Sequence, residues 1–135
     1  MNITFILVLL ALTVSGCASL QDAPKKMAGV SRRSLEAAKA DSIYQVYTCD
    51  MAACFDAVVD IAAQEKYTIF MKDPVQGFIS LMNIPGVVNT TEVGVFMTQL
   101  SHGQGVRVEL SSRSSPAKKV VAKKLFSELG NQFKK

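Results

Sequence analysis

Histidine is nearly missing from this chain: His102 is the only one in 135 residues, and it sits in the Gly-containing turn "HGQG". That scarcity removes most metal and nucleophile chemistry. A zinc centre needs three or four converging ligands, and Cys49, Cys54 and His102 would leave the fourth place to water or a carboxylate. A Cys/His nucleophilic pair would have to draw on the same residues. The CxxC spacing of thioredoxin-type redox sites is absent, because four residues separate Cys49 from Cys54. "HGQG" is too short for a phosphate cradle and has no following Lys. Asp56 and Asp60 approach one another on a helix face, a spacing that ordinarily gives a solvated acidic surface, and no carboxylate pair is recognisably placed for acid/base work. Basic residues are not interleaved with aromatics, so nucleic acid is not an expected partner. The composition therefore points away from an enzyme, and no catalytic residue, metal or cofactor is expected.

A membrane-length apolar run is also lacking. The longest, "ITFILVLLALTV" from Ile3 to Val14, has twelve residues, about 18 Å of helix against a hydrocarbon core of about 30 Å. That length suits the hydrophobic region of a secretory signal peptide, the other reading being a buried N-terminal helix or uncleaved anchor. The run ends in small Ser15 and Gly16 directly before Cys17. The step Val14-Ser15-Gly16-Cys17 resembles the lipobox of bacterial lipoproteins. The resemblance implies cleavage after residue 16 and makes Cys17 the lipid-attachment site, the diacylated and N-acylated first residue of the mature chain. The signal's amino end carries no Lys or Arg, a departure from that pattern. An Asp after the cysteine marks inner-membrane retention in enteric lipoproteins; Ala18 stands there, so the same resemblance implies the outer membrane, with the module facing the periplasm.

Export changes what the cysteines mean. With Cys17 consumed by lipid, Cys49 and Cys54 remain as an even pair in an oxidising compartment. Two helical residues five apart would lie about 7.5 Å apart along the axis, too far for a disulfide. With Asp50 as N-cap, however, Cys49 falls just outside the helix and Cys54 is its fourth residue, the two positions of a hydrophobic staple. A disulfide there would fix the angle between the first strand and the helix; two reduced, buried thiols are the other reading.

Residues 17–41 mix small, charged and Pro/Gly residues, with five bases against three acids. They read as a flexible tether with one weak helical turn at "SLEAAKA". From Ser42 to the C-terminus the pattern is that of a folded module. "SIYQVYT" is strand-like, and "DMAACFDAVVDIAAQEK" switches to helical period with Met51, Phe55, Val58, Val59 and Ala62 on one face. Strand-like "KYTIFMKD", the turn "PVQG" and the return strand "FISLMNI" follow, then "TTEVGVFMTQLS" and "VRVELSSRS". The last helix has Ser115 as expected N-cap, Pro116 at its first position and an apolar stripe Val121, Leu125, Leu129, Phe133. The fold class expected is α+β: a four-to-five-stranded antiparallel sheet packed on one face by two helices, in the order βαβββα. This order, the passage "CFDAVVDIAAQEKYTI" and the turn "KDPVQGFI" resemble an uncharacterised family of small bacterial lipoproteins. They are more distantly similar to the C-terminal modules of BamC, a lipoprotein of the outer-membrane protein assembly machinery. The resemblance carries fold and location and no functional residues.

Two surfaces stand out as candidate contacts. The final helix carries six Lys and one Glu, and Lys119, Lys123, Lys124 and Lys134 could meet anionic headgroups or a partner, the plainer reading being a solvated face. Alternation along the strands turns Phe70 and Phe96 toward the sheet's second face, where they either contact a protein partner, a second copy or an apolar ligand, or belong to the core. The function expected is that of a non-enzymatic envelope lipoprotein serving as an interaction or scaffold module; the alternative is a binding protein for a small apolar or lipid ligand.

Overall fold

Five antiparallel strands lie in the spatial order β1-β5-β4-β3-β2: β1 Ile43–Tyr47, β2 Thr68–Asp73, β3 Phe78–Met82, β4 Val93–Gln99 and β5 Val106–Ser111. Helix α2, Met51–Gln64, and helix α3, Ser115–Gln132, join them. Residues 31–37, α1, are helical and lead into a 3-10 turn, Ala38–Asp41. This is a computed structural model, and it describes residues 31–134.

Both long helices begin where side chains satisfy their first amides. Asp50, in extended conformation, accepts from Ala53 N at 2.8 Å and starts α2. For α3 the cap is Ser114, one residue earlier than expected, because its Oγ reaches Ala117 N at 3.3 Å. Pro116 then falls at the second helical position, where a missing N–H leaves nothing unsatisfied. After α2 the chain turns through Lys66 in the left-handed region, φ 61°, into Tyr67 and β2. Asp73 closes the next turn by accepting from Val75 N and Gln76 N at 3.1 and 3.0 Å.

The α+β class and the antiparallel sheet stand as expected, with two corrections. Four strands follow α2 in succession, so the order is βαββββα and not βαβββα. The sheet is also covered on both faces. Against the first face pack α2 and α3, burying Phe55, Val58, Ile61, Val121, Leu125 and Leu129 on Ile79, Leu81, Val93, Val95, Val108 and Leu110. A buried side chain of this kind contributes about 1.5–3 kcal/mol, so this layer dominates the stability. The second face carries residues 31–41, which were expected to be tether. Leu35, 2% exposed, is packed there with Phe78, Phe96 and Met71.

Candidate functional site

Strand register explains why the second face receives a helix. Pairing sets Ser80 opposite Gly94, and Gly94 opposite Ser111, so a row of small residues crosses the three central strands. That row is a trough. A Cβ on Gly94 would meet Phe96 Cε2 at 2.9 Å and Leu35 Cδ1 at 3.1 Å, so glycine is what lets α1 approach the backbone. Main-chain and side-chain bonds then hold α1 down: Ser111 Oγ donates to the Leu35 carbonyl, and the Glu92 carboxylate accepts from both Ser31 and Ser80.

The next row reads Asp73, Phe78, Phe96, Glu109 and Tyr44 across all five strands. Two cations from residues 31–41, which lie as a strap over this face, complete it. Arg32 lies 5.2 Å over the Phe78 ring and 3.9 Å from the Asp73 carboxylate, and Lys39 lies 4.0 Å over Phe96 and 3.7 Å from Glu109. Each half-buried contact of this type contributes about 1 kcal/mol. Arg107, paired with Thr98 and Val46 in the adjacent row, stacks 3.9 Å over Tyr44 and reaches Glu109 at 3.4 Å.

Phe96 therefore does face away from α2 and α3, but it is 5% exposed and lies beneath the strap, which corrects the expectation of an uncovered face. Phe70 is 52% exposed. It stands at a β-bulge, where the register shifts between Ile69 and Met71. The bulge sends Ile69 to the helices and Met71 to the strap, although residues two apart on a regular strand share a face.

Cys49 and Cys54 flank the start of α2 with Cα atoms 6.0 Å apart and their sulfurs at disulfide distance. Cys54 is fully buried and Cys49 partly so, beside Tyr47, which keeps the clip at the seam of strand and helix. Among the described residues no group of three or more His, Cys, Asp or Glu converges as a metal site, and His102 is exposed with φ 63°. Cys17 lies outside the described residues, as do the signal segment and the tether up to residue 30.

The basic helix lies along the edge strand β1. At the strand's start Lys118, 5% exposed, donates from Nζ to the Asp41 carbonyl. Toward its end the Tyr47 hydroxyl donates to the Phe126 carbonyl at 3.1 Å, and Thr48 N donates to Lys134 O at 2.8 Å. Lys119, Lys123, Lys124 and Lys134 are all exposed, and Lys124 pairs with Glu65 at 3.7 Å. Between β1 and α3 is an open hollow of about 340 Å³ lined by Gln45, Ala122, Lys123, Phe126 and Ser127. Burial pushes the Tyr47 phenol up to about 12, and burial followed by the nearby Glu65 charge raises that of Tyr67.

Sequence reasoning missed the strap and Lys118. Gly94 inside "VGVFM" was the available signal, because a glycine within a strand marks close approach of another backbone. In comparisons with known proteins, no family model matches the chain and no curated protein matches it. What the fold defines is a small α+β module, a five-stranded antiparallel sheet with two long helices on one face and a short strap on the other. No described helix is long and apolar enough to cross a membrane.

Proposed function

We propose that the chain is a lipid-anchored envelope protein whose module, tethered by Cys17 to the periplasmic side of the outer membrane, works as a non-enzymatic interaction or scaffold domain. The observation that carries the location is the step Val14-Ser15-Gly16-Cys17 after twelve apolar residues. Anchorage follows from chain number: each buried methylene contributes about 0.8 kcal/mol, and two or more acyl chains hold firmly where one does not. The resemblance to small bacterial lipoproteins and to the C-terminal modules of BamC supports the same reading.

The filled space between helices and sheet favours surface contact over enclosure of a ligand. Tyr47, Val58, Ile61, Leu81, Val95 and Leu125 are at most 1% exposed, and they occupy the volume that an apolar ligand would need. The test is metabolic labelling with an alkyne fatty acid, followed by separation of inner and outer membranes, for wild type beside Cys17→Ala. Label and protein should co-migrate with outer membrane in the wild type alone. Equal, unlabelled, soluble protein in both would refute the anchor.

A further inference from the structure

The two sheet edges are protected very differently. At β2 the edge is broken by the bulge at Phe70, carries exposed Lys72 and runs directly into the Asp73-Pro74 turn. These are ordinary devices against strand addition. β1, "IYQVY", has none: it contains no Pro, Gly or Lys, and it pairs with β5 in unbroken register from Ile43 to Tyr47.

The direction of its free groups follows from one contact. The Tyr47 carbonyl oxygen lies against Gly105 on the β5 side, 2.4 Å from where a Cβ would stand. Antiparallel alternation then gives the N–H and C=O of Ile43, Gln45 and Tyr47 to β5, and those of Tyr44 and Val46 to the free edge. Thr48, of the same parity, already donates outward to Lys134 O. Among the described residues, nothing pairs with Tyr44 or Val46 on that side.

A column of cations flanks this edge. Lys118, Ala122 and Phe126 face β1, and Lys119, Lys123 and Ser127 form the next column out, with Lys123 and Ser127 lining the hollow beside Gln45. Lys119 and Lys123 are one turn apart, about 6 Å along the helix. Alternate side chains of an added strand repeat every 6.6–6.8 Å or so. A strand beside β1 with an acid at every second position would set successive carboxylates against successive lysines, and its other side chains against Tyr44 and Val46.

We propose that the β1 edge and the α3 lysine column form a docking site for an extended acidic segment of a partner protein, which adds to the sheet as a sixth strand. A second copy fits less well. A two-fold seam of β1 against β1 centred on Gln45 would oppose two lysine columns, and like charges brought together there disfavour it. The inference rests on the reading of this module as an interaction domain and names the chemistry of its partner.

The test uses the purified full chain and a fluorescent octapeptide of alternating Glu and Val, with a Lys-Val peptide as control. Expected are saturable binding of the acidic peptide alone and slowed hydrogen exchange at the Tyr44 and Val46 amides. Lys119→Glu with Lys123→Glu should weaken binding about tenfold while leaving thermal unfolding unchanged. Val46→Pro removes an outward donor without taking a hydrogen bond from the β5 ladder, and with circular dichroism preserved it should also cost at least about tenfold. Absent binding, equal binding of the Lys-Val peptide, or full affinity in Val46→Pro would overturn the proposal, as would a dimer in which the free protein already protects both amides. If instead a partner cross-links at another surface, this proposal fails and the interaction reading stands.

Discussion

Leu35→Ala tests the most unexpected feature of the fold, the strap of residues 31–41. Leu35 is 2% exposed and sits between Phe78, Phe96 and Met71 in the trough made by Gly94. Truncating a buried leucine costs about 2–5 kcal/mol, and the lower half applies at a surface layer that can collapse onto the gap, so about 2–3 kcal/mol is expected. The loss falls on the strap first, because its remaining ties are hydroxyl bonds and half-buried ion pairs, each contributing about 1 kcal/mol. Local opening should therefore rise about 30- to 150-fold, well before the sheet unfolds. The assay is limited trypsinolysis in native buffer, following cleavage after Lys39 by mass spectrometry, since cleavage of a transiently open segment tracks its open population. Circular dichroism of the main body should be preserved. An unchanged cleavage rate after Lys39, with urea stability within about 0.5 kcal/mol of wild type, would refute the packing argument.

Gly94→Val should place a branched side chain where even a Cβ meets Phe96 at 2.9 Å and Leu35 at 3.1 Å, destabilising by about 1–3 kcal/mol in urea titration; an unchanged midpoint would mean the strap does not lie in the trough. Reducing Cys49–Cys54, five apart in sequence, should lower stability by about 2 kcal/mol on the loop-entropy estimate, read as a shift in urea midpoint with and without reductant. No shift, with both thiols alkylating freely before reduction, would mean the clip is open. Tyr47 carries a pH signature. Its folded phenol is raised to about 12 by burial, above the unfolded value of 10.0, so its contribution is complete below about pH 10 and is lost as pH rises through about 12. Urea titrations across that window should fall steeply for wild type and less so for Tyr47→Phe; identical slopes would contradict the burial argument.

The elements readable from sequence are those whose patterns were local. Asp50 announced the α2 cap, the period switch at Met51 announced the helix, and Cys49 and Cys54 took positions that only that cap makes bridgeable. The strap was illegible for a physical reason: "SLEAAKA" has one large apolar residue, too little for a periodic signal, and its burial depends on a trough built from Ser80, Gly94 and Ser111 on three different strands. The course of β2 past Phe70 was illegible for a similar reason. A bulge inserts one residue without any mark in the hydrophobic alternation, and every side chain beyond it changes face. The cationic column beside β1 was visible as composition, but that it borders an unprotected edge strand required the sheet order.

The proposed reading gives each cysteine a role: Cys17 the anchor, and Cys49 and Cys54, whose sulfurs lie at disulfide distance, the clip. Intact-mass analysis of protein extracted from membranes, alkylated without prior reduction, tests all three at once. Expected is a mature chain starting at Cys17, heavier by a diacylglyceryl group and one further acyl chain, with no alkylation at Cys49 or Cys54 until reductant is added. An unprocessed chain without lipid, or one that takes up alkylating agent at both Cys49 and Cys54 before reduction, would contradict it.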